Sequence, residues 1–236
     1  MARVAPENQS DSLSIPWSDT VRFVRQLSHD LRNYLNAIEL QSTYINELND
    51  DAELKREINR LREMIAGMTS ALQKLSESLR EPKPDLISYR AADFIEDLRK
   101  KIGHDFPEES TEVSWKVETG DSVLNIDPQL LEQVIIELFA NAFQHDRGKG
   151  SLVAMATVDK SRFVFTLHEP KTGFDLSTEN WGRAPLRKIS QSHYGLGLNR
   201  VRLIMETHGG EMHAQYDPKA SKLVTTLSLP LSREKS

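Results

Sequence analysis

The stretch AELKREINRLREMIAGMTSALQKLSESL (Ala52–Leu79) decides the fold of the first part of the chain and, by where it stops, the point at which a second architecture begins. Its apolar residues Leu54, Ile58, Leu61, Ile65, Met68, Leu72, Leu75 and Leu79 recur alternately four and three apart, the seam of a coiled coil. From Ser18 to Leu79 there is no proline, and Gly67 is the only glycine, so nothing breaks a helix here. A preceding helix supplies Val24, Leu27, Leu31, Leu35, Ile38, Ile45 and Leu48, and Asn49-Asp50-Asp51 suits a tight connection with Asp51 as the cap of the second helix. The result is an antiparallel helical hairpin. One such stripe is not buried by one partner helix, so two hairpins packed as a dimeric four-helix bundle are expected, and hence a homodimer. The alternative is a monomeric hairpin folded back on the rest of the chain.

Glu81-Pro82-Lys83-Pro84 ends the second helix, since proline removes a donor and pushes the preceding residue out of helical geometry. Beyond it the pattern is mixed. Short strands are expected at 87–90, 112–118 and 123–126, with a helix over 92–102. A long amphipathic helix runs from Pro128, at the favoured first position after Asp127, to His145. Strands at 152–158 and 162–167 flank Asp159-Lys160, a helix over 198–207 stops at His208-Gly209-Gly210, and strands near 211–216 and 222–229 close the chain. The fold class is α+β with two domains: the hairpin, then an α/β sandwich with helices on one face of a mixed sheet. We place a flexible N-terminus at 1–17, the hairpin at 18–81, the sandwich at 82–232 and a flexible tail at 233–236.

Composition narrows the partners. A formal charge of −5 on 236 residues gives no electrostatic reason to expect nucleic acid. No apolar run approaches the roughly 20 residues that span a bilayer, and the first residues, with Glu7 and Asp11, are unlike a signal peptide, so a cytoplasmic chain with no membrane contact is expected. With no cysteine, disulfides, thiol nucleophiles and cysteine zinc sites are excluded.

Three stretches carry chemistry. In Ser28-His29-Asp30-Leu31-Arg32-Asn33, residues four apart share a helix face, so His29 and Asn33 lie side by side, with Asp30 beside the imidazole to take or hold its proton. That arrangement suits a nucleophile. On the long helix, Glu137 and Asn141 lie one turn apart with His145 a turn beyond, and a carboxylate and an amide oxygen so placed are hard ligands for Mg²⁺ and a nucleotide phosphate. Gly195 and Gly197 in Tyr194-Gly195-Leu196-Gly197-Leu198 precede a helix whose N-terminus and backbone amides can cradle phosphate. Taken singly, each also reads as an ordinary polar helix face or turn.

In order and together, these pieces resemble the transmitter core of bacterial two-component histidine kinases. FVRQLSHDLRN (Phe23–Asn33) looks like the H box of that family, QVIIELFANAFQH (Gln133–His145) like its N box, and HYGLGLNRVRLIMETHGGEM (His193–Met212) like its second glycine box and following helix. The resemblance runs from about Phe23 to Pro230. It implies a dimerisation and histidine-phosphotransfer hairpin followed by a GHKL (Bergerat) ATP-binding domain, with ATP and Mg²⁺ as cofactors. His29 would accept the γ-phosphoryl group, Asp30 would assist as base, and the phosphate would pass to an aspartate of a response-regulator receiver domain. Asn33 would orient water for dephosphorylating that regulator. Asn141 would coordinate Mg²⁺, supported by Glu137.

The chain also departs from that family. The first glycine box, ordinarily Asp-x-Gly-x-Gly, stands here as Glu169-Pro170-Lys171-Thr172-Gly173. Glu169 takes the place of the aspartate that hydrogen-bonds adenine, Lys171 replaces the first glycine, and Gly173 survives; Pro170 and Lys171 are expected to stiffen and crowd a turn that needs open backbone. The segment 174–194 would be the ATP lid, with Arg183, Arg187 and Lys188 as phosphate contacts. Tyr34 stands where a proline commonly follows the phosphorylation site, and no sensor module is visible, so a separate sensor protein is expected to bring the signal. The damaged box keeps a second function open: a phosphotransferase hub in a phosphorelay that does not bind ATP.

Overall fold

The computed structural model describes residues 16–48, 50–144, 148–174, 178, 181 and 196–232, and the chain divides into two compact units that part between Leu79 and Arg80. The first unit is an antiparallel pair of helices, α1 (Trp17–Leu48) and α2 (Ala52–Ser78). Asp51 caps α2, its carboxylate accepting from the Glu53 N–H at 2.8 Å and, more weakly, from that of Leu54. The α2 seam splits into two sets. Ile58 and Ile65 are buried with Leu35 of α1, whereas Leu61 and Met68 remain 44% and 55% exposed, as do large parts of Leu27, Leu31, Ile38 and Ile45. A single hairpin therefore satisfies half of its apolar stripe and leaves the other half in water.

The second unit holds a two-stranded antiparallel ribbon and a five-stranded mixed sheet. β1 (Ile87–Arg90) pairs with β3 (Val123–Ile126). The larger sheet has the order β2 (Val113–Glu118), β4 (Leu152–Asp159), β5 (Arg162–Pro170), β7 (Lys222–Pro230) and β6 (Glu211–Asp217); β2 and β4 are parallel and the remaining pairs antiparallel. Helices α3 (Ala91–Asp105), α4 (Pro128–Gln144) and α5 (Gly197–Thr207) supply the other half of the core. Alternation sets the faces: Phe163, Phe165, Leu167 and Glu169 of β5 point to the buried side, as do Leu223, Thr225, Leu227 and Leu229 of β7. The small residues Ala154 and Ala156 of β4 lie in register beside Trp115 and Phe165, and Phe139 of α4 fills that gap, stacked on Trp115 at 5.7 Å.

The structure differs from the sequence reading in two places. A 3₁₀ turn (Glu109–Glu112) takes Glu112 out of β2. β5 also continues past Leu167 through Pro170, so Glu169 and Pro170 belong to a strand and not to an open turn. Proline is tolerated there because its carbonyl is what the end of the strand uses, accepting from the Gly148 N–H at 2.8 Å, while the Lys171 N–H continues the ladder to the Ser221 carbonyl.

The turn after α5 has a structural task. His208 is buried; its Nδ1–H donates to the Ile204 carbonyl at 2.8 Å, so Nε2 is free to accept from the Asp127 N–H at 3.0 Å. Asp127 in turn caps α4 by accepting from the Leu130 N–H. Gly209 lets the chain reverse, at φ +67, in the left-handed conformation that a side chain disfavours. One imidazole thus ties the end of α5 to the start of α4. Replacing it with alanine leaves the Asp127 N–H unpaired, and urea unfolding of His208→Ala is expected to show a loss of about 1–3 kcal/mol; an unchanged midpoint would mean that water replaces the ring without cost.

Candidate functional site

On α1, His29 and Asp30 present 65% and 51% of their side chains to solvent. The imidazole Nδ1 lies 3.3 Å from Asp30 Oδ1 and 3.4 Å from Asn33 Nδ2. Gln26, one turn before Asp30, donates to the same Oδ1 at 2.9 Å. That contact escapes a reading centred on His29, although its i, i+4 spacing is the signal for it. With the proton on Nδ1 donated to Asp30, the Nε2 lone pair is left available, the tautomer a nitrogen nucleophile requires.

In the second unit, Glu137 and Asn141 lie one turn apart on α4, both partly buried. The Asn141 Nδ2 donates to Glu137 Oε1 at 3.3 Å, which leaves the Asn141 carbonyl oxygen as the group available to a hard cation. Gly197 opens α5 directly against this pair. A Cβ on Gly197 would run into the Glu137 carboxylate, 2.6 Å from its Cδ, so the bare backbone is what lets the start of α5 abut Glu137. The N-cap of α5, Leu196, offers no side-chain hydrogen bond, and the first turn carries no acidic residue. The N-terminal amides of α5 are therefore left without a capping side chain beside a carboxylate and an amide, where an anion bridged by a cation is accommodated.

The end of β5 reaches the same region, because the Gly148–Pro170 hydrogen bond ties the segment following α4 to it. Here Glu169 and Lys171 form an ion pair at 3.0 Å, each residue 5% exposed. Burial pushes the Glu169 carboxyl above the usual carboxylate range, and the Lys171 ammonium draws it part of the way back. Read from sequence alone, Lys171 is a residue that crowds a turn. In the fold it is the counter-ion of Glu169, and the signal for this is the spacing of two, which puts both on one face of a strand. Gly173 has open space around its Cα. Beside the pair stand three half-buried aromatic rings: Phe174 lies 5.3 Å from Tyr216 and 5.5 Å from Trp181, and Tyr216 shares a rung with Leu223 and Glu169. His145, Arg183, Arg187, Lys188 and Gly195 lie outside the described residues. Among the described residues, no three His, Asp or Glu side chains gather to hold a metal alone, and no helix is long and apolar enough to cross a membrane.

Residues 126–233 match the family described as histidine kinase-, DNA gyrase B- and HSP90-like ATPases. The sensor histidine kinase ZraS of Escherichia coli K12 is 25% identical over 217 residues, covering 88% of this chain and 45% of ZraS. The crystal structure of full-length ShkA in complex with AMPPNP shares the fold at TM-score 0.66 and 17% identity, over 91% of this chain and 47% of ShkA. The histidine kinase ThkA, solved with the response regulator TrrA, shares it at TM-score 0.56 and 17% identity, over 93% of this chain and 64% of that one. The chain spans about half the length, or less, of the curated relatives it matches. A helical hairpin bearing an exposed histidine, followed by this ATPase fold with an asparagine and a carboxylate set against a glycine-opened helix, is the transmitter core of the two-component histidine kinases, and the chain belongs to that family.

Proposed function

We propose that this chain is an ATP-dependent protein histidine kinase that phosphorylates its own His29 and passes the phosphate to an aspartate of a response-regulator receiver domain. The observation that carries the reading is the apposition of Glu137 and Asn141 to the Gly197-opened start of α5. Residues 18–81 serve as the dimerisation and phosphotransfer unit and residues 82–232 as the ATP-binding unit. The exposed half of the α1–α2 seam favours a second copy of the hairpin as its cover, giving a four-helix homodimer. AMPPNP in ShkA and TrrA on ThkA are the precedents for the nucleotide and the partner class. The signal would come from a separate sensor protein.

In the chemistry proposed, the Nε2 lone pair of His29 attacks the γ-phosphorus, the bond from that phosphorus to its bridging oxygen breaks, and ADP leaves. The imidazolium so formed gives up or shares its Nδ1 proton with Asp30, whose carboxylate Gln26 holds in place. Transfer to a receiver aspartate reverses the attack, with the N–P bond breaking as the carboxylate oxygen takes the phosphoryl group. Asn33 then orients water for the reverse, dephosphorylating reaction. The donor set fits Mg²⁺: an amide oxygen of Asn141 and the Glu137 carboxylate, with substrate phosphates completing the shell in place of a protein cage. When bound, the metal would neutralise charge on the phosphates; positioning by this chain supplies the rest.

Calorimetric titration with MgATP tests the reading. Saturable binding is expected for the wild-type chain, and a loss of about tenfold or more for Gly197→Ala, whose methyl pushes Glu137 aside without entering the core. Unaltered affinity in that variant would remove Glu137 from the site. The buried Glu169–Lys171 pair favours a second reading, the phosphorelay hub that accepts phosphate from a phosphorylated receiver and binds no ATP. Absence of any heat with MgATP, together with phosphate acceptance by His29 from such a receiver, selects it.

A further inference from the structure

The nucleotide reading above needs a base-binding end, and the geometry there is unusual. A carboxylate selects a base by accepting hydrogen bonds from its amino or imino groups, which requires that oxygen lone pairs be presented to the ligand. Glu169 does not present them. Its carboxylate lies on the inner face of the sheet, 5% exposed, with the Lys171 ammonium 3.0 Å away and equally buried. A carboxylate already neutralised by a buried cation gives it up only at the cost of leaving two charges unpaired in a dry place. The neighbouring surface is of another kind: Phe174, Tyr216 and Trp181 offer aromatic faces, and every base has a π-face to lay on them.

We propose that Lys171 is the specificity-determining residue of the nucleotide site: by holding Glu169 in an internal ion pair, it withdraws that carboxylate from base recognition. The chain then takes nucleoside triphosphates through their phosphates and by stacking, with little preference for adenine. The proposal rests on the nucleotide-binding reading of the Glu137–Asn141–Gly197 cluster and adds what that cluster does not address, the base.

The test is calorimetric titration of the full chain with the Mg²⁺ complexes of ATP, GTP and CTP. For the wild type, the three dissociation constants are expected to agree within about fivefold. Lys171→Met, which keeps the bulk and removes the cation, should free Glu169 and raise the preference for ATP over GTP to about tenfold or more. Because that variant leaves a buried carboxylate alone and could unfold, a second variant accompanies it. Glu169→Leu combined with Lys171→Met replaces the pair with apolar side chains of similar size, a change that structures commonly tolerate, and should bind all three triphosphates as the wild type does. A wild-type preference for ATP above about tenfold overturns the proposal and leaves nucleotide binding standing. Loss of binding in the double variant also overturns it, since the pair would then touch the ligand. If neither the wild type nor either variant binds any triphosphate, the nucleotide reading falls and the proposal with it.

Discussion

His29→Gln is expected to abolish covalent phosphate on the chain. Incubated with labelled ATP and Mg²⁺, the wild type should acquire label that is stable in alkali and lost in acid, the behaviour of a phosphorus–nitrogen bond, and the variant should acquire none. Glutamine keeps the length and polarity of the side chain but has no lone-pair nitrogen to attack with. Since 65% of the His29 side chain faces solvent, the substitution removes chemistry without disturbing packing, and thermal unfolding should coincide with that of the wild type. Asp30→Asn probes the proton. The amide still accepts a hydrogen bond from Nδ1 but cannot take charge, so the rate of labelling should fall about 10²-fold or more while the final extent is retained. Label that survives in His29→Gln would place the acceptor elsewhere. The same pair of variants, presented with a phosphorylated receiver in place of ATP, applies equally to the phosphorelay reading.

Phe139→Ala is expected to cost about 3–5 kcal/mol, a large part of the stability of an ordinary domain. The ring is fully buried, stacked on Trp115 at 5.7 Å and in tilted contact with Phe143 at 5.7 Å, over a part of the sheet where Ala154 and Ala156 have no bulk to refill the hole. Urea unfolding followed by tryptophan fluorescence reports on it directly, because Trp115 is one face of the contact. The midpoint should fall with the slope unchanged. Since α4 also carries Glu137 and Asn141, MgATP binding should weaken in the same variant as urea is added, before it does in the wild type. A loss below about 1 kcal/mol would mean that the core closes over the cavity, and that Phe139 does not hold α4 to the sheet.

Much of the fold was legible in the chain because the relevant signals are local. The four-and-three spacing through Leu54–Leu79, the absence of breakers before Pro82, the alternation in 152–158 and 162–167, and Pro128 after Asp127 each depend on neighbours within a few positions, and helices and strands stand where they predict. The boundary errors were local too. Glu112 went to a 3₁₀ turn, and β5 ran through Glu169-Pro170 because Gly148 and Ser221, distant in sequence, supply its last hydrogen-bond partners.

The residue types needed for chemistry, His29 with Asp30 and Asn33, and Glu137 with Asn141, were also readable, since the helical repeat alone brings each set together. Only the tertiary structure decided how they meet the rest of the chain. The sequence does not say that Gly197 is bare because Glu137 lies against it, or that His208 exists to receive the N–H of Asp127, 81 residues away. Nor does it say that Lys171 neutralises Glu169 instead of merely filling a glycine position. Periodicity settles which residues share a face. Whether a carboxylate on that face meets water, a ligand or a buried lysine depends on which segments close over it, and burial is what turns that choice into a large free-energy difference.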